Sequence, residues 1–238
     1  MLRGPCYRGA MDGRKAAYIA IGVAVVGTAA VLYAKSRKNE TGKILGRPSK
    51  KSLPRETTTS GGKTLRHYRG KMPIRERMGI LQDLTHKSVQ DPEMRKLALR
   101  ITQHCRARDG ECESRAIYDW VKRNVRYTGD VGPHKLGRHG PVEGVDLFQS
   151  AARTVEFRGG DCDDHSILNC TLALHNGMAC KYRITSDTRK NAEDFSHIYA
   201  MVGLPKNSPR KWIAMDTTLE HGRFGTEPST AKHLDFVA

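Results

Sequence analysis

The stretch FRGGDCDDHSILNC, residues 157–170, places one thiol among three carboxylates. Cys162 begins a segment whose apolar spacing predicts a helix that ends at Asn176. A thiol at a helix N-terminus faces unpaired backbone N–H groups and the positive end of the helix dipole, which favour a nucleophilic thiolate. The preceding Gly159 and Gly160 allow a tight entry into the helix and a close approach of a substrate backbone.

The acidic residues around the thiol need a separate explanation, because negative charge opposes thiolate formation. Asp161 directly precedes the helix and is a suitable N-cap. Asp163 and Asp164 lie in the first turn, where the helix dipole stabilises each carboxylate by about 0.3–1 kcal/mol. A nucleophilic Cys162 therefore requires a basic or cationic partner from elsewhere in the chain.

His197 is the favoured partner, because it begins one of two predicted strands that are joined by the turn-forming segment PKNSPR. If the turn is centred between residues 206 and 207, His197 lies directly opposite Asp216, with Cβ atoms about 4.5–5.5 Å apart. The carboxylate would fix the imidazole tautomer and leave the other ring nitrogen for the thiol. His165, three positions after the cysteine, is a rival base. A buried polar pair without a catalytic role is the other interpretation of these two strands.

Along the chain, the predicted elements that position these side chains are helices first and strands afterwards. Two helices are predicted in DPEMRKLALRITQHCRARDG, with Asp91 as N-cap and Pro92 at the first helical position, and in ESRAIYDWVKRNVRY. A loop rich in glycine and proline is predicted over residues 128–146. Strands are predicted at residues 180–186, 196–204 and 211–218. This order is typical of an α+β fold with an antiparallel sheet.

The N-terminal part of the chain has a different composition. Residues 1–71 contain 16 Lys or Arg against 3 Asp or Glu, so most of the formal net charge of +16 lies there. A nucleic-acid-binding fold is disfavoured, because the remainder is nearly balanced in charge. The uncharged residues 16–34 just suffice to cross a bilayer and predict a transmembrane helix rather than a cleaved signal peptide. The sequence thus divides into a tail (1–15), this helix, a basic flexible linker (35–72) and a folded domain (73–238).

Basic residues are denser after the apolar segment than before it, which predicts a single-pass membrane protein with a cytoplasmic domain. A component of a virus particle need not follow this rule. Contact of the basic linker with nucleic acid or anionic lipid is less favoured than a solvated tether. The six cysteines include no CxxC pair and are interpreted as mostly reduced. The set His104, Cys105 and Cys112 matches no known zinc-ligand spacing.

The order of four segments resembles the transglutaminase-like superfamily, whose core has a papain-like cysteine protease fold. These segments are YDWVKRNVRYTGD, GGDCDDHSILNCTLALHNGMACKYRI, FSHIYAMVGL and KWIAMDTT, and the resemblance covers about residues 90–218. The resemblance implies that Cys162 is the nucleophile, His197 the general base and Asp216 the orienting acid. The wording DCDD is closest to microbial members, including those encoded by phages and prophages.

The resemblance also implies a candidate metal site, because acidic residues around the cysteine bind calcium in some bacterial members. Here the ligands would be Asp161, Asp163 and Asp164, although helix capping is the favoured role and no cofactor is required. For an oxyanion, the backbone N–H of Cys162 is the first donor, and Gln149 and Tyr127 are candidate side-chain donors.

The sequence therefore predicts a membrane-tethered cysteine hydrolase that cleaves a peptide or isopeptide amide bond through a thioester. One alternative is transglutaminase-type acyl transfer, in which an amine replaces water and proteins become crosslinked. The other is a non-enzymatic structural protein, part of a virion or a membrane, that retains the fold.

Overall fold

The computed structural model describes residues 56–60, 63–69, 72–128, 145–187 and 195–238. The chain divides into two units, Met1–Ile44 and Leu45–Ala238, and every described residue belongs to the second. The predicted tail and transmembrane helix lie outside the described residues. Within the described ranges, no helix combines the length and the hydropathy that a membrane span requires.

Five helices are described, and the last of them is the centre of the fold. They are α1 Ile74–Val89, α2 Pro92–Thr102, α3 Gly110–Asn124, α4 Ala151–Phe157 and α5 Cys162–His175. Helix α5 packs between α1–α3 and the large sheet, so side chains on all its faces are buried, among them Ile167, Leu168 and Leu172. The two predicted helices are confirmed at α2 and α3, and the predicted cap is confirmed at α2, where Asp91 accepts a hydrogen bond from the Glu93 amide.

The large sheet consists of four antiparallel strands in the order β8-β7-β6-β9. Their bounds are β6 Ala179–Ser186, β7 His197–Leu204, β8 Lys211–Met215 and β9 Lys232–Val237. The first three are the predicted strands. The predicted α+β class with an antiparallel sheet is thereby confirmed, and β9, which pairs with β6, extends it.

A second sheet covers part of the segment that was predicted to be a linker. Strands β1 Glu56–Ser60, β2 Lys63–Arg69 and β4 Val145–Gln149 pair antiparallel in the order β1-β2-β4. The linker prediction is wrong for residues 56–60 and 63–69, which form strands. Thr57, Thr58 and Thr59 are β-branched, and Leu65 and Tyr68 are buried, so this segment has strand character despite its basic composition. Of the predicted linker, residues 35–55, 61–62 and 70–71 lie outside the described residues.

The interpretation of the cysteines as mostly reduced is wrong for four of them. Cys105–Cys112 and Cys170–Cys180 form disulfides, with Cα–Cα distances of 5.7 and 5.5 Å. A distance in this range permits a disulfide, and it is set by how the elements pack rather than by spacing in the sequence. His104 lies beside the first bridge, but the two sulfurs there are bonded to each other and offer no thiolate to a metal. Among the described residues, Cys162 is the one cysteine that remains free.

Candidate functional site

The N-terminus of α5 is fixed by a capping box. The Asp161 side chain accepts hydrogen bonds from the backbone amides of Asp163 at 3.0 Å and Asp164 at 3.2 Å, as its predicted N-cap role requires. In return, the Asp164 carboxylate accepts a hydrogen bond from the Asp161 amide. Gly160 is needed here, since a Cβ at this position would lie 2.6 Å from the Cβ of Asp164. The first turn that carries Cys162 is thus held rigidly.

The two other carboxylates of the first turn are buried and have different partners. Asp163 forms an ion pair with Arg77 of α1, with 2.9 Å between Nη1 and Oδ2. Asp164 accepts hydrogen bonds from the backbone amide of Gln149 at 2.8 Å and from its Nε2 at 2.6 Å. Burial raises the pKa of Asp164 to about 7, and the hydrogen bonds from Gln149 partly oppose that shift.

These partners do not fit a calcium site at the three aspartates. Calcium requires six to eight oxygen ligands that converge on one point. Here Asp161 faces backbone amides, Asp163 faces a guanidinium and Asp164 faces Gln149. Within the described ranges, the three carboxylates do not form a cluster of metal-binding geometry.

Cys162 lies at the point where α5 meets the start of β7. The Cys162 side chain is half-buried, and its sulfur accepts a hydrogen bond from the backbone of Ile198, the residue after His197. Burial raises the pKa of the thiol, and the carboxylates of Asp163 and Asp161 add to this shift. The Ile198 hydrogen bond and the charge of Arg77 oppose it. A resting thiolate is therefore disfavoured, and activation must come from a base at the time of reaction.

His197 and Asp216 are joined as the strand pairing predicts. The distance from His197 Nε2 to Asp216 Oδ2 is 2.7 Å. Asp216 is buried and also accepts hydrogen bonds from the Thr218 amide at 3.1 Å and the Thr218 hydroxyl at 2.6 Å. Burial alone would raise the pKa of Asp216, but the hydrogen bonds from His197 and Thr218 outweigh it and lower the pKa. Asp216 therefore remains a carboxylate, and Nδ1 is the ring nitrogen of His197 left for another partner.

The predicted strand register is wrong by two residues, although the contact it predicted exists. Ala200 pairs with Met215 and Leu204 with Lys211, so the turn is centred one position later than expected. If this register is continued beyond the strand, Asp216 lies diagonally from His197 rather than directly opposite. A shift of two residues keeps every side chain on its face of the sheet, and diagonal neighbours remain within reach of long side chains.

His165, the rival base, is occupied elsewhere. Its side chain is 1% exposed, with Nδ1 2.8 Å from the Thr217 hydroxyl and Nε2 3.5 Å from the carbonyl oxygen of Arg126. Burial lowers the pKa of His165 to about 4. A neutral imidazole with both nitrogens engaged is a structural group, so the sequence-based alternative of a His165 base is wrong.

The two candidate side chains for an oxyanion have different surroundings. The Gln149 amide donates to the Gly159 carbonyl at 3.2 Å and to Asp164, so both N–H groups have acceptors inside the protein. Gln149 thus supports the first turn of α5 and does not donate to a ligand. Tyr127 belongs to β3, Arg126–Tyr127, which pairs in parallel with β5, Gly159–Gly160. Its side chain is 56% exposed beside the entry to α5, which leaves it as a candidate contact for a substrate.

Two residues that the sequence did not single out, Asn169 and Thr217, connect the helix of Cys162 to the segment around Asp216, directly after β8. Asn169 of α5 donates from Nδ2 to the Met215 carbonyl at 3.2 Å and to the Thr217 hydroxyl at 3.1 Å. Thr217 in turn contacts His165. The residues on both sides of Asp216 are therefore bonded to α5. The available signal was that Asn169, Thr217 and His165 are polar residues among apolar ones. Polar side chains in a core need mutual hydrogen bonds.

Comparisons with known proteins agree with this architecture. The model of the family described as "Transglutaminase-like superfamily" matches residues 95–217, which is more than half of the chain. No curated protein matches the chain.

The solved structures that are similar to it include two from bacteria. One is a "putative protease" from Parabacteroides distasonis, with 11% identity, 60% of this chain covered, 29% of that chain covered and a TM-score of 0.41. The other is a "putative cysteine protease" from Cytophaga hutchinsonii, with 18% identity, coverages of 73% and 58% and a TM-score of 0.36. The chain thus matches less than two thirds of the length of either protein. Since the family model matches more than half of the chain, including the helix of Cys162, strand β7 of His197 and Asp216 just after β8, the chain belongs to the transglutaminase-like superfamily.

Proposed function

We propose that this protein is a cysteine hydrolase that cleaves a peptide or isopeptide amide bond at Cys162. The observation that carries this proposal is the hydrogen bond between His197 and the buried Asp216. His197 begins β7, and the next residue of that strand, Ile198, contacts the Cys162 thiol. A free thiol, an imidazole and a carboxylate at one end of a sheet are the groups that amide cleavage through a thioester requires.

The hydrogen-bond pattern supports a separate role for each group in this proposal. Because Asp216 is a carboxylate, Nε2 of His197 carries the proton that it donates to Oδ2. In the neutral imidazole, Nδ1 is then the unprotonated nitrogen and acts as the general base. Asp216 stabilises the imidazolium that forms when Nδ1 accepts a proton.

The reaction proceeds in two steps. The Cys162 sulfur attacks the amide carbonyl carbon as its proton moves to Nδ1 of His197, and the C–N bond breaks as that proton passes to the leaving amine. This leaves a thioester on Cys162. Water then attacks the thioester, His197 takes a proton from the water and returns it to the sulfur, and a carboxylic acid is released.

Proton transfer at the time of attack suits the electrostatics of this thiol. Burial and two nearby carboxylates raise the pKa of Cys162, so the resting group is a thiol. Because the thiol keeps its proton until attack, the resting site does not bear the cost of a buried thiolate. The imidazole supplies the missing base only as the sulfur becomes bonded to carbon.

The test is to incubate the full-length chain with a peptide library and to identify newly formed N-termini by mass spectrometry. A fluorescent primary amine in parallel samples would reveal acyl transfer. The variants are Cys162→Ala and His197→Ala, and the matched control is His233→Ala, which removes an exposed histidine from β9 of the same sheet.

We expect cleavage by the wild type and the control, and a loss of at least about 100-fold in His197→Ala, because general base catalysis contributes about 10²–10⁴-fold. Incorporation of the amine without cleavage would assign the chain to acyl transfer. The absence of both products in the wild type would overturn the proposed activity and favour a structural role.

A further inference from the structure

Helix α1 contributes a cation to the helix that begins with Cys162. This helix, Ile74–Val89, precedes the residues 95–217 that match the family model. From it, Arg77 places Nη1 2.9 Å from Oδ2 of Asp163, the residue next to the thiol. The Asp163 side chain is 3% exposed and that of Arg77 is 33% exposed. A carboxylate so deeply buried needs a partner, and here the partner is a full positive charge.

The guanidinium is held from two sides. Its Cζ atom lies 5.5 Å from the centroid of the Phe148 ring, and Phe148 is fully buried in β4. A cation over an aromatic face is attracted by the ring quadrupole, and the ring also limits the rotamers that Arg77 can adopt. The ion pair with Asp163 therefore has a fixed geometry rather than the mobility of a surface pair.

The three carboxylates of the first turn differ in how their charge is compensated. Asp161 and Asp164 accept hydrogen bonds from backbone amides and from Gln149, which are neutral donors. Asp163 is paired with a guanidinium. In a medium of low polarity, a neutral donor stabilises a carboxylate but does not cancel its field at a neighbouring atom, whereas a cation at 2.9 Å largely does.

We propose that Arg77 is a positioning residue that neutralises the Asp163 charge beside Cys162 and so allows negative charge to develop on the sulfur as its proton is removed. This rests on the proposed function, in which Cys162 attacks as a sulfur nucleophile. Among the described residues, the charged groups that act on the thiol are Asp161 and Asp163 on its own segment and Arg77 from α1. Two further titratable groups lie on the elements that meet there, Asp164 in the first turn of α5 and His197 at the start of β7.

The test is the rate of Cys162 alkylation by iodoacetamide as a function of pH, measured on the full-length chain. Trypsin releases residues 159–181 as one peptide that contains Cys162 together with the bridged Cys170 and Cys180, so mass spectrometry can quantify the modification of this thiol alone. The variants are Arg77→Met, Arg77→Lys, Asp163→Asn and the double variant Arg77→Met with Asp163→Asn. Methionine retains an apolar stem over Phe148 and removes the charge.

The matched control is Arg66→Met. Arg66 pairs with Asp83. Asp83 lies on α1, as Arg77 does, but it is not bonded to the helix of Cys162. Circular dichroism and thermal melting report whether each variant folds.

We expect Arg77→Met to raise the midpoint of the alkylation profile by about one pH unit, which slows alkylation about tenfold at pH 7. Arg77→Lys should retain most of the wild-type rate. Asp163→Asn alone should lower the midpoint, and adding it to Arg77→Met should return the midpoint to the wild-type value or below.

The proposal is overturned if Arg77→Met leaves the midpoint unchanged, if Arg66→Met shifts it equally, or if the double variant behaves like Arg77→Met. If Arg77→Met does not fold, the proposal is judged from Asp163→Asn and the double variant. An alkylation midpoint that does not change when the Asp163 carboxylate is removed contradicts the proposal. None of these readouts needs a substrate. If the wild type cleaves no peptide but the alkylation midpoints of the variants shift as expected, the proposed hydrolysis is wrong and the role of Arg77 stands.

Discussion

Cys162 and His165 occupy the same helical turn, yet their surroundings assign them opposite kinds of role. The thiol is half-buried at the start of β7, whereas the imidazole is buried between Thr217 and the Arg126 carbonyl. A spacing of three residues brings two side chains to one side of a helix, but it does not state what covers them. The choice between His165 and His197 as a base is therefore decided by the tertiary environment.

The burial of His165 leads to a prediction about stability and pH. Its pKa is lowered to about 4, below the value of about 6.5 expected in the unfolded chain. The stabilisation that comes with a neutral buried imidazole is complete above pH 6.5, and it is lost as the pH falls towards the folded-state pKa, because only the unfolded chain binds the proton. We expect the free energy of unfolding of the wild type relative to His165→Gln to decrease by about 3 kcal/mol between pH 7 and pH 4.

This difference is best measured by urea unfolding of both chains over a pH series. The raised pKa of Asp164 gives a slope of opposite sign in each chain, and subtraction removes it. A relative free energy that does not change with pH would mean that His165 is not a buried neutral group.

At the residue scale, the candidate site was predictable where the residues that mark it lie in one element or in two neighbouring ones. Cys162 with its Asp161 cap follows from a local pattern, and His197 with Asp216 follows from two strands and one turn. Arg77 was not predictable, because its pairing with Asp163 depends on how α1 packs against α5. The occupation of Gln149 by Asp164 depends on packing in the same way.

At the scale of elements, prediction succeeded where a helix or strand is marked by its own residues. Helices α2, α3 and α5 begin with an aspartate cap whose side chain accepts backbone hydrogen bonds. Helix α1 begins after Pro73 without a side-chain cap, so no start signal was available. Strands β1, β2 and β9 are rich in polar and charged residues, and their strand conformation is decided by pairing partners distant in sequence.

The position of Asp216 should depend on the bonds between Thr217 and α5. Thr217→Val keeps the shape of the side chain but removes the hydroxyl that contacts His165 and Asn169. We expect a loss of about 1–3 kcal/mol in the free energy of unfolding, because buried polar groups lose their partner. We also expect a lower kcat with little change in KM, since the acid that orients His197 becomes less well fixed.

The matched control for this substitution is Thr171→Val. Thr171 is a buried threonine of α5, and its hydroxyl donates to the Ile167 carbonyl within the same helix. Denaturant unfolding and steady-state kinetics should separate the two variants. Equal effects on kcat would show that Thr217 contributes only to general stability.

At the scale of the whole molecule, the prediction that residues 16–34 span a membrane leaves open the side on which the domain lies, and the disulfides and the charge distribution indicate opposite sides. The basic residues after the apolar segment 16–34 predict a cytoplasmic domain. Cys105–Cys112 and Cys170–Cys180 are bridged, and disulfides persist in oxidising compartments. Basic residues also flank the other end of that segment, so the charge bias is small, whereas two independent bridges require an oxidant.

We therefore expect the folded domain to be located on the oxidising side of the membrane. The full-length chain would be expressed in a bacterial host, free thiols would be blocked with a permeant maleimide in intact cells, and peptides would be analysed without reduction. Both bridges should be intact, and a variant without residues 16–34 should have reduced cysteines because it stays in the cytoplasm. Blocked thiols at Cys170 and Cys180 in the full-length chain would instead place the domain in the cytoplasm, as the charge bias predicts. In that compartment the helix of Cys162 would lack its covalent link to β6, and a bridge of this kind typically contributes about 2–4 kcal/mol to stability.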